Sequence, residues 1–129
     1  MSAELGYLTW VTTFTALMWV PYILNMIMVR GLLDAVGYPE NPEPMAPWAE
    51  RMQAAHYNAI ENLVVFAALV LIAHAAGIHN QATALAAAIY FWARVIHFVA
   101  YTFRIPWVRT LAFVAGFACQ ITIAWQILA

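Results

Sequence analysis

Four stretches of this chain are each close to the roughly 20 apolar residues that a helix needs to cross the hydrocarbon core of a bilayer. They cover 7–33, 49–76, 81–103 and 108–128. With 66% hydrophobic and 9% charged residues, against about a quarter charged in soluble domains, the chain has too little polar surface to cover a soluble core. The reading is an all-α integral membrane protein, one domain over 1–129, with four transmembrane helices in a bundle. The first stretch holds Glu4 and no lysine and runs far before its first arginine, Arg30. That pattern predicts a retained helix rather than a cleaved signal peptide.

The connections carry the rest of the topology. "DAVGYPENPEPMAPWAER" is polar, and Pro39, Pro42, Pro44 and Pro47 forbid a continuous helix, which predicts a loop over 34–48. In "AAGIHNQA", Gly77 can end one helix and Asn80 or Gln81 begin the next, making antiparallel neighbours. "RIPWVR" turns at Pro106. Arg30 and Arg51 flank the first loop, and Arg104 and Arg109 the third, while the termini and second loop hold no basic Lys or Arg. Cytoplasmic flanks are enriched in those residues, so loops one and three are expected in the cytoplasm and both termini on the non-cytoplasmic side. The short chain with minimal termini fits a bacterial inner membrane.

Several function classes receive no support. A net charge of -1 offers no basic surface for nucleic acid. The sequence holds no Cys/His cluster with metal spacing and no HExxH, P-loop or GxSxG motif, so no metal site is expected. Cys119 is the single cysteine and reads as a small packed hydrophobe. His74 and His79 flank the second turn, His56 lies off the polar stripe of its helix and reads as a subunit-packing residue, and Met18, Met26 and Met28 read as gap fillers.

Two polar stripes interrupt this apolar background. Residues three, four and seven apart share a helix face, which aligns Arg51, Ala55, Asn58 and Asn62 in the second span, with Glu61 at the edge. The third span aligns Arg94, His97, Tyr101 and Arg104, continued outward by Tyr90. A charge near the bilayer centre costs about 2.5 to 3.5 kcal/mol on insertion scales, so Glu61 and Arg94 are expected to face inward, another subunit or a wet cavity. One reading is a Glu61–Arg94 ion pair with an Asn58–Tyr101 bond, acting as interhelical glue. The other is a site for an anion, because several guanidinium groups gather at one end of the helices and grip carboxylates in bidentate geometry.

"ERMQAAHYNAIENL" resembles the E-R-x-x-R-A-x-x-N-x-x-E signature of the MAPEG family, the membrane-associated proteins in eicosanoid and glutathione metabolism. "RVIHFVAY" resembles that family's R-x-x-H-x-x-x-Y, and Arg109 with Thr110 its Arg-Ser or Arg-Thr opening the fourth helix. The resemblance implies a left-handed four-helix bundle assembled as a homotrimer among membrane lipids, with glutathione as co-substrate bound between subunits and a hydrophobic small molecule as second substrate. Carried over, Arg51, Asn58 and Glu61 would hold the tripeptide's charged ends with Arg30, and Arg94, His97 and Tyr101 would contribute from the third helix, beside Arg104. Arg109 and Thr110 would lie near the thiol as the catalytic pair, a guanidinium and a hydroxyl donor favouring the thiolate. The implied activity is glutathione transfer to lipophilic electrophiles or peroxide reduction. Alternatives are a silent trimer binding another anionic or lipid ligand, or a purely structural membrane protein. Where the signature has its second arginine, this chain has Ala54.

Overall fold

The computed structural model describes all residues, Met1 to Ala129. Its helices are α1 (Ala3–Leu17), α2 (Trp19–Arg30), α3 (Leu32–Val36), α4 (Pro47–Ala75), α5 (Gln81–Thr102) and α6 (Val108–Leu128). Together α1 and α2 make one span of 28 residues, and α4, α5 and α6 are spans of 29, 22 and 21 residues. Four helices are thus long and apolar enough to cross a membrane.

The expected continuous first span over 7–33 is broken at Met18. Pro21 explains the break, since it has no N–H to donate and its ring crowds the carbonyl four residues earlier, that of Leu17. The Met18 N–H bonds instead to the Thr15 carbonyl at 3.3 Å. The span stops at Arg30 because Gly31 takes φ 81°, a conformation that side chains resist. The predicted loop is also shorter than expected: 32–36 is helical, and α4 starts at Pro47. Proline suits a first helical position, where its missing N–H would have no partner anyway. Asn25 fastens this junction by accepting the Ala46 N–H at 2.9 Å.

The turn between α4 and α5 follows its sequence closely. Gly77, at φ 71°, donates to the His74 carbonyl at 3.1 Å while Ile78 donates to Ala73 at 2.8 Å, the paired bonds of a Schellman motif. Asn80 then caps α5 reciprocally with Thr83, at 3.0 and 3.1 Å. The turn after α5 repeats the geometry without a glycine. Arg104, at φ 62°, donates to Tyr101 at 3.3 Å and Ile105 to Ala100 at 2.9 Å.

Lipid tails are as apolar as these side chains, so close packing and interhelical hydrogen bonds hold such a bundle rather than exclusion of water. α5 lies at the centre, against α1, α4 and α6. Towards the end that holds the chain termini, Val11, Phe66, Val70, Ala87, Tyr90 and Ile123 form the main core, where the Phe66 and Tyr90 rings stack at 3.8 Å and 7°. Gly116 packs against this stack, where a Cβ would lie in ordinary contact with Tyr90 at 3.6 Å and Arg94 at 3.9 Å. Buried Thr83 donates to the Glu4 carboxylate at 2.5 Å, and Gln120 to the Asn62 carbonyl at 3.1 Å.

At the arginine-bearing end a smaller cluster gathers Tyr22, Met45, Ala49 and Met52. Here His56 departs from the subunit-packing role expected of it: it is buried inside its own chain, with Nδ1 2.6 Å from the Tyr22 hydroxyl. Met18 fills a gap in the interior as expected, but Met28 is 82% exposed. His74 and His79 are exposed. Cys119 is buried in the main core.

Candidate functional site

Three helices meet at the arginine-bearing end to form two adjoining pockets. The first, of about 230 Å³, is lined by Arg51 from α4, Tyr101 from α5, Arg104, Trp107 and their turn, and Arg109 with Thr110 from α6. The second, of about 330 Å³, is lined by Asn58, His97, Tyr101, Arg109, Thr110 and Phe113. Tyr101, Arg109 and Thr110 belong to both, so the pockets are two arms of one site.

Each cation is held by a specific local device. Arg51 spends its Nε on the Thr102 carbonyl at 2.9 Å, tying α4 to the last turn of α5. Arg109 sits with its Cζ 4.7 Å from the Tyr101 ring centroid, a cation–π contact that fixes the guanidinium between the arms. Arg104 is presented by its left-handed backbone, and Trp107 has φ 67° one residue before α6. Two non-glycine residues with positive φ within one short turn are unusual, and such strain clusters at ligand sites. Neither arm has a carboxylate in its wall. Three guanidinium groups around one cavity with no balancing acid give it a positive field, which suits an anion.

Seven of the ten residues singled out in the sequence therefore converge: Arg51, Asn58, His97, Tyr101, Arg104, Arg109 and Thr110. Arg94 lies behind the site rather than in its wall. It is 2% exposed, and its Nη2 donates to Asn58 Oδ1 at 2.7 Å and meets His97 Nδ1 at 3.4 Å. The ion pair with Glu61 considered above does not form, and Asn58 bonds to Arg94 and Asn62 rather than to Tyr101. Glu61 is exposed and lines neither arm, since it stands about 60° round the helix from Asn58. Arg30 is also apart, with its Nε on the Glu43 carbonyl at 2.6 Å in the first loop. α2 packs on a different side of α4, beside Ala49 and Met52.

The pattern reading missed Trp107, Ile105, Ala100 and Phe113 as wall residues. Phe113 had a usable signal, because it follows Arg109 by one helical turn. Trp107 had none, as its position depends on a backbone conformation that its side chain does not favour. On the other face of α6, an apolar furrow of about 430 Å³ runs against α5 past Ile89, Trp92, Ile96, Leu111 and Ala112.

The MAPEG family model matches residues 8–129. The chain belongs to the MAPEG family. The match takes in every residue of both arms, the last three spans and all but the first five residues of the first span of this MAPEG protein. A search among curated proteins finds no match.

Proposed function

We propose that this MAPEG protein binds glutathione and uses its thiolate against lipophilic electrophiles, as a transferase or a peroxidase, at a site completed between the copies of a homotrimer. The observation that carries the reading is the acid-free pocket pair with Arg109 and Thr110 shared by both arms. A free thiol ionises near pH 8.5, and a nearby guanidinium with a hydroxyl donor favours the anion. Arg109 supplies the charge and Thr110 the hydrogen bond. In transfer, the thiol proton leaves to solvent, the sulfur pair forms the new carbon–sulfur bond and the leaving group departs with its electrons. With a hydroperoxide, the thiolate takes the terminal oxygen and the alkoxide is protonated. A second thiol then closes the disulfide and releases water.

The trimer reading is supported by Glu61, an exposed carboxylate half-way along a 29-residue span. Facing lipid there is costly, and a second copy would cover it. That copy would also bring its Arg30, and Glu61 itself, to the edge of the site. The two ligand arms lie at the arginine-bearing end, which is assigned to the cytoplasmic side of a bacterial inner membrane, with both termini outside.

Calorimetric titration of detergent-purified protein with glutathione, followed by a conjugation assay with a chlorinated nitrobenzene, tests the proposal. Heat of binding and turnover are expected; their absence at millimolar glutathione overturns it. Ala54 favours a second reading, a silent trimer with another anionic or lipid ligand, because an arginine grip is missing one turn after Arg51. If glutathione is the ligand, Ala54→Arg tightens its binding; under the second reading, it does not.

A further inference from the structure

Arg94 is a fully buried cation with no acidic partner. Its two contacts are neutral, Asn58 Oδ1 at 2.7 Å and His97 Nδ1 at 3.4 Å, and its Nε has no partner. A guanidinium can only donate. For the 3.4 Å contact to be a hydrogen bond, the His97 nitrogen it meets has to be the unprotonated one, which leaves the ring proton on Nε2. The same logic fixes Asn58. Its Oδ1 accepts from both Arg94 and Asn62, the latter at 3.3 Å, so the amide Nδ2 is turned the other way. Neither Asn58 Nδ2 nor His97 Nε2 is a sealed atom without a partner, and both residues line the second arm. These two N–H groups are what they have left to offer a ligand there.

We propose that Arg94 is a positioning residue that sets the polarity of the second arm, holding His97 in its Nε2–H tautomer and Asn58 with Nδ2 towards the ligand. The arm then presents donors from Asn58 and His97 beside the shared Arg109, and it selects an acceptor-only group such as a carboxylate over a carboxamide or an ammonium. Gly116 packs beside the Arg94 stem, where a Cβ would lie 3.9 Å away in ordinary contact. This deepens the glutathione reading and rests on it only for the identity of the ligand.

The test has two arms that fail independently. In ligand-free protein labelled with ¹⁵N-histidine, with the His97 signals assigned by their loss in His97→Phe, the ring is expected neutral with its proton on Nε2. A proton on Nδ1 in the unmutated protein overturns the proposal without any variant having to fold. Arg94→Met is expected to release the ring to a tautomer mixture, and Arg94→Lys, which keeps a donor, to retain Nε2–H. An unchanged tautomer in Arg94→Met removes Arg94 from the role. The second arm compares glutathione with its two mono-carboxamides. One amide is expected to bind about tenfold or more weakly than glutathione to the unmutated protein, the scale of a hydrogen bond to a charged group, with the gap narrowed to about twofold in Arg94→Met. Equal binding of all three, or a gap that survives Arg94→Met, overturns the selection. If glutathione does not bind at all, the function proposal fails while the tautomer result still decides the role of Arg94.

Discussion

The turns that close α4 onto α5 and α5 onto α6 share one backbone motif and fill it differently. At the first, the left-handed position is Gly77 and the next helix is capped by Asn80 and Thr83. At the second, the left-handed position is Arg104, Trp107 takes a positive φ in the tight turn closed by Val108 on the Pro106 carbonyl at 2.8 Å, and α6 begins with no side-chain cap. A side chain in the left-handed region costs about 1–2 kcal/mol, and a lost cap about 1 kcal/mol. The first turn has the residues that its geometry asks for, and it lines neither arm of the candidate site. The second carries both costs, and it is also a wall of the candidate site. The difference teaches that backbone strain at these two turns is located where guanidinium groups gather around a cavity.

That contrast can be broken in four ways. The largest expected effect is at the strained end: Arg109→Ala lowers kcat about 100-fold, the scale of removing one electrostatic donor, and changes glutathione affinity less. Steady-state conjugation kinetics decide this, with His79→Ala as the control that leaves turnover unchanged. Next, Gly77→Ala should destabilise the protein by about 1–2 kcal/mol, seen as a lower unfolding temperature in detergent with ligand affinity intact. Asn80→Ala should cost about 1 kcal/mol through the lost cap, again without touching the site; a fall in glutathione affinity would show that the two ends are coupled. The smallest is the converse experiment. Arg104→Gly should raise stability by about 0.5–1 kcal/mol, the relieved strain less the added freedom of the unfolded chain, while weakening anion binding. Lower stability in Arg104→Gly would mean that its left-handed backbone is not strained.

Much of this is legible in the sequence. The four apolar stretches gave the spans to within a few residues, Gly77 and Asn80 marked their turn, and helical spacing put Arg51 with Asn58 and His97 with Tyr101 on single faces. The failures have local causes. The break at Met18 followed from Pro21, which apolar run length does not register. The start of α4 at Pro47 was hidden by three other prolines just before it. His56 was assigned outward because its partner, Tyr22, is 34 residues away and shares no motif with it.

Arg94 shows where the boundary falls. Its residue type and its place in a long apolar stretch were enough to keep it away from lipid, because the cost of exposing a charge to hydrocarbon depends only on the charge and its depth. Sequence alone also determined the four spans, since these depend on run length and polarity along a single helix. Which atoms Arg94 faces was decided only by the packing of α4, α5 and α6, which brought Asn58 rather than Glu61 within 2.7 Å of it. The tertiary structure likewise decided that Arg104 and Trp107 take positive φ angles. Hydrogen bonds act over a few ångströms and in fixed directions, so a difference of about 60° round a helix, invisible in a list of polar residues, separates a partner from a bystander.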